Sequence, residues 1–178
     1  MSINANENQL LKRLAAAMSA NPRGNTGALA EAAGISRATF NRFCGSREHL
    51  MEMIAEQAEA SLQEIIRLAQ SNVTDYPAAL SALMEAHFVN EEYLEFSCSS
   101  QSSLDNAYWE SYLHALDAFF LNGQKNGAFK LDIPSQMLTE LFISMVCGMI
   151  DADHRGRVAT SGLENQMTAF FLHGVEKT

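Results

Sequence analysis

Apolar residues recur every three or four positions along nearly the whole chain, and no stretch alternates with the two-residue period of a strand. The pattern predicts an all-α protein of about nine helices. The first is expected over residues 8–19 and ends before the loop Asn21-Pro22-Arg23-Gly24-Asn25. Thr26 is expected to cap a second helix, Ser36 a third and Ser46 a fourth. The fourth runs from Arg47 to about Ser71 with Leu50, Ile54, Ala58, Leu62, Ile65 and Leu68 as its buried stripe. Further helices are expected near 77–89, 91–101, 104–122, 134–154 and 162–175. Pro22, Pro77 and Pro134 fall where helices start or break. Asn122-Gly123 is expected to end or kink a helix, and Asn126-Gly127 lies in the connection that follows. Residues 136–150 are apolar almost all round, the pattern of a helix central to a core or an interface.

Residues 26–50, TGALAEAAGISRATFNRFCGSREHL, carry a more specific pattern. Ala30 is small enough for two helices to cross closely, and Gly34 follows four residues later, where a tight turn needs a positive φ. Ile35 can plug that turn. Ser36 then opens a short helix with Arg37, Ala38, Thr39, Asn41 and Arg42 on its outer face, and Phe40 inside. A short helix decorated this way, preceded by such a turn, suits the major groove of DNA.

Charge strengthens this reading. The net charge of −9 at first disfavours nucleic acid. Residues 1–50, however, hold six basic and three acidic residues, net +3, and residues 51–178 hold six basic and eighteen acidic, net −12. Phosphate attraction acts over about a Debye length, so the local excess counts. The three cysteines, Cys44, Cys98 and Cys147, form no CxxC or CxxH pattern, and a reducing cytoplasm is the expected compartment. Cys98 and Cys147 are expected to be buried small hydrophobes. No apolar run approaches the ~20 residues of a membrane span, and the N-terminus has no leader pattern. No Glu-x-x-His, GxSxG, HExxH, P-loop or dinucleotide-binding glycine pattern occurs, so no enzyme, cofactor or metal site is expected.

These residues together resemble the DNA-binding domain of TetR-family transcriptional regulators. Leu29-Ala30-Glu31-Ala32-Ala33-Gly34-Ile35-Ser36 matches the family's IA-x-x-AG-[V/I]-[S/T] block. Arg37 to Phe43 stands as its recognition helix, and Ser46-Arg47-Glu48-His49-Leu50 as the basic residue with an apolar one three positions on. Two positions depart from the pattern. Asn41 stands where the family usually has Tyr or His, and Cys44 where it has an aromatic.

The resemblance implies a DNA-binding domain over 1–52 and a larger helical ligand-binding and dimerisation domain over 53–178. It implies DNA contacts from Thr26, Gly27, Ser36, Arg37, Ala38, Thr39, Asn41, Arg42, Ser46 and Arg47, with Arg47 as a phosphate anchor. It also implies an effector pocket, for which His87, Phe88, Glu91, Phe96, Cys98, Trp109, Tyr112, Leu116, Met145 and Met149 are the candidates. A homodimer face is implied on the last two long helices, drawn from Met137, Leu141, Met145, Gly148, Met167, Phe170 and Phe171. The expected protein is a ligand-responsive repressor on a palindromic operator. The alternatives are a ligand-binding protein of the same fold without DNA recognition, and a helical-bundle metal enzyme.

Overall fold

The computed structural model describes residues 4–97, 106–159 and 161–175, and among these are nine α-helices and no β-strand. They are α1 Ala5–Ala20, α2 Thr26–Ala32, α3 Arg37–Phe43, α4 Arg47–Ala69, α5 Tyr76–Val89, α6 Glu91–Ser97, α7 Asn106–Lys125, α8 Ser135–His154 and α9 Leu163–Val175. The chain forms two compact units. The first comprises the chain through Ser61 and resumes at Asn90, and the second comprises Leu62–Val89 and resumes at Asn106.

Local chemistry sets the helix ends. α1 begins at Ala5, earlier than its apolar period suggests, because Asn4 and Glu7 form a reciprocal capping box. The Asn4 side chain accepts from the Glu7 amide and the Glu7 carboxylate from the Asn4 amide, each at 3.0 Å. Asn25, not Thr26, caps α2: its Oδ1 accepts from the Ala28 amide at 3.0 Å, and Thr26 is the first helical residue. Ser36 caps α3 through the Thr39 amide at 3.0 Å, and Ser46 caps the start of α4 through the His49 amide at 3.1 Å. α7 passes through Asn122-Gly123 without a break and ends at Lys125. Gly123 is buried, and the rings of Phe129 and Tyr76 occupy the space a Cβ would need, so its glycine serves close approach and not helix termination.

In the first unit, Leu11, Leu14 and Met18 of α1 meet Leu29, Ala30, Phe40, Leu50, Ile54 and Ala58 in one cluster. α6 completes it with Tyr93 and Phe96. Tyr93 donates its hydroxyl to Asn8 Oδ1 at 2.5 Å, and Lys12 pairs with Glu92 at 3.1 Å, so α6 is held on α1 by apolar and polar contacts together. Phe96 therefore belongs to the core beside α1.

The second unit is built on aromatic rings. Phe120, Phe142 and Phe171 lie with centroids 5.7–6.0 Å apart, in geometries from tilted to edge-on. Tyr76, Phe119 and Phe129 extend the cluster. No helix among the described residues is long and apolar enough to cross a membrane.

Candidate nucleic-acid interface

The turn between α2 and α3 is a Schellman motif. The Ile35 amide donates to the Ala30 carbonyl at 2.9 Å and the Gly34 amide to the Glu31 carbonyl at 3.0 Å. Gly34 holds φ +68°, which the motif requires and a side chain disfavours. Ile35 packs partly buried against the core, and this fixes the angle at which α3 leaves. Phe40 faces inward, fully buried, so the opposite side of α3 must face out.

That outer side carries Ser36, Arg37, Ala38, Asn41 and Arg42, all exposed, with Thr39 half-buried and its hydroxyl 2.9 Å from the Ser36 hydroxyl. The side chains of Arg37, Asn41 and Arg42 make no hydrogen bond or ion pair with any described residue. Their donors are open to a ligand. Arg13, which sequence reasoning left out, stands nearby: its Nη1 lies 3.9 Å from where a Cβ on Gly34 would sit. Its only sequence signal is its place on the polar side of α1.

Arg47 is placed differently. Its Nη2 donates to the Pro22 carbonyl at 2.7 Å and its Nη1 to Met51 Sδ at 3.1 Å. Arg47 thus ties the start of α4 to the α1–α2 loop, and part of its donor set is already spent. Cys44, where the family has an aromatic, is buried and donates its thiol to the Phe40 carbonyl at 3.5 Å. Burial pushes that thiol up to about 11, so it stays protonated at neutral pH.

The candidate effector residues fall into three places. His87 and Tyr112 meet inside the second unit: His87 Nδ1 donates to the Leu83 carbonyl and its Nε2 accepts from the Tyr112 hydroxyl, both at 2.7 Å. Burial lowers the His87 pKa to about 4, so the ring is neutral. Phe142, absent from the sequence-derived set, stands edge-on to it at 5.2 Å. Trp109 lies 5.1 Å from the Tyr112 ring and is partly exposed, Leu116 is buried and Phe88 half-buried. Glu91 and Phe96 lie on α6 in the first unit. Met145 and Met149 line an open groove of about 590 Å³ between α8 and α9, with Gly148 and Phe170. Cys98 lies outside the described residues. No group of three His, Cys, Asp or Glu that could hold a metal occurs among the described residues.

The candidate dimer residues divide as well. Met137, Leu141, Gly148 and Phe170 are exposed, Phe170 at 75%, and Met145 is half-buried. Met167 and Phe171 point into the second unit's own core. Cys147 is exposed on α8, contrary to the expectation that it would be buried.

No protein-family model matches the chain. The HTH-type transcriptional regulator NfxB of Pseudomonas aeruginosa is 41% identical over 180 residues, covering 98% of this chain and 96% of that protein. Among solved structures, the TetR family transcriptional regulator PfmR from Thermus thermophilus superposes with a TM-score of 0.67 at 21% identity, covering 99% of this chain and 100% of that one. The ketosteroid transcriptional regulator KstR2 of Mycobacterium tuberculosis gives 0.69 at 15% identity, covering 99% and 98%.

Proposed function

The chain belongs to the TetR family of transcriptional regulators, and we propose that it acts as a homodimeric repressor released from its operator by a small molecule. It is a DNA-binding regulator and not an enzyme. The observation that carries the finer reading is the outer side of α3, where Arg37, Asn41 and Arg42 are exposed with unengaged side-chain donors behind a rigid Schellman turn. DNA contact in this reading belongs to residues 1–52, with Thr26, Gly27, Ser36, Ala38, Thr39, Ser46 and Arg47 around that centre. Asn41 can make the bidentate contact to adenine that a tyrosine cannot.

Dimerisation is supported by the apolar residues left exposed on α8 and α9, above all Met137, Leu141 and Phe170. Two copies would place their α3 helices about one turn of DNA apart, ~34–36 Å, on a near-palindromic site. An effector site is supported by the open groove of about 590 Å³ between α8 and α9, which Met145 and Met149 line. A 10- to 100-fold loss of DNA affinity on effector binding needs only ~1.4–2.7 kcal/mol of coupling between the two sites. The cytoplasm is the compartment in which such a regulator meets its operator.

The test is to select a duplex from a randomised pool with the purified protein and weigh the complex by light scattering. Two chains on one inverted repeat are expected. A single chain on an asymmetric site would overturn the dimeric reading.

A further inference from the structure

Gly27 is unexplained by the backbone. It sits inside the first turn of α2 and holds no positive φ, so its conformational freedom is unused. Glycine is a poorer helix former than alanine, so the position carries a cost that something else must offset. The neighbours a side chain would meet supply the reason. A Cβ on Gly27 would lie 2.6 Å from Arg37 Nη2, 2.7 Å from Nε and 2.9 Å from Cζ. The flat guanidinium of Arg37 is laid across the Gly27 backbone, and any side chain there would push it off.

Arg37 opens α3, yet its charged end folds back over α2. It makes no hydrogen bond or ion pair with any described residue. In a helix-turn-helix the second helix enters the groove while the first crosses the sugar-phosphate backbone. A guanidinium resting on the first helix is therefore beside phosphates and set apart from the base edges that α3 reaches. Its planar fork of donors matches a phosphate's oxygens.

We propose that Gly27 is a positioning residue for Arg37, and that Arg37 so placed clamps a backbone phosphate and reads no base. This rests on the proposed DNA-facing role of α2 and α3. It separates two arginines of one helix by function: Arg37 gives affinity without sequence preference, and specificity falls to Asn41, Arg42 and their neighbours.

The experiment measures binding of wild type, Gly27→Ala, Arg37→Ala and the double variant by fluorescence anisotropy over a salt series. The probes are a duplex selected from a randomised pool by the wild-type protein and a scrambled duplex of equal length. Arg37→Ala should weaken both duplexes by the same factor, about tenfold, and reduce the salt slope by about 0.9. Gly27→Ala should do the same in direction and cost nothing further in the Arg37→Ala background. It should melt no lower than wild type, because alanine is the better helix former. A loss confined to the selected duplex with an unchanged slope would make Arg37 a base reader and overturn the proposal. So would a Gly27→Ala loss that persists without Arg37, which would assign Gly27 to the fold. If the wild-type protein binds neither duplex, the DNA-facing reading itself fails.

Discussion

Phe170 and Phe171 are adjacent and chemically identical, and they have opposite fates. Phe171 is buried against Phe120 and Phe142, and Phe170 is 75% exposed beside the α8–α9 groove. Residue type could nominate both for the dimer face. Which one faces out depends on the rotational phase of α9, and two consecutive aromatics leave that phase undetermined. Phe171→Ala should cost about 3–5 kcal/mol of stability, read by chemical denaturation. Phe170→Ser should leave the protomer's fold intact and shift the chain toward monomer in sedimentation runs. His87 carries a second prediction at this scale. Its folded-state pKa of about 4 lies below the ordinary 6.5, so the unfolded chain binds a proton that the folded chain refuses. The associated stability is complete above pH 6.5 and drains away as pH falls toward 4, by on the order of 3 kcal/mol. His87→Gln, which can still accept from Tyr112, should flatten that part of the melting-temperature profile. An unchanged acid limb would place the sensitivity in another group.

At the scale of elements, the α2–α3 hairpin was the most legible part of the chain. Gly34 takes a left-handed φ that side chains disfavour, Ile35 packs against the core and Ser36 caps α3, each as its residue type suggests. Gly34→Ala must hold φ +68° with a Cβ, and should lose about 1–2 kcal/mol in thermal melts, with Gly34→Asn losing less. Equal stability of the alanine variant would mean the turn can relax. The Asn4-x-x-Glu7 box was readable too, but the apolar period starts later and hid it. α6 was not legible in its placement. Tyr93 and Phe96 have the same i, i+3 spacing whatever surface they cover, and only the tertiary contacts set them against α1. The role of Arg47 was hidden for a similar reason: the Pro22 carbonyl that it binds lies 25 residues away in sequence.

For the whole molecule, charge is divided along the chain. An acidic body of net −12 over residues 51–178 follows a basic end of net +3. Such a chain should bind DNA through one restricted surface and resist adhering elsewhere. In the proposed function that surface centres on α3, and the most direct test is a single substitution on it. Arg42 is exposed and makes no hydrogen bond or ion pair with another described residue, so its removal should leave the core packing intact. The measurement is the affinity of Arg42→Ala for the selected duplex, taken across a salt series beside its melting temperature. The expected result is at least a ~10-fold loss of affinity with unchanged melting, the size of one charge-assisted contact. Wild-type affinity with a wild-type salt slope would contradict the assignment of this face to DNA.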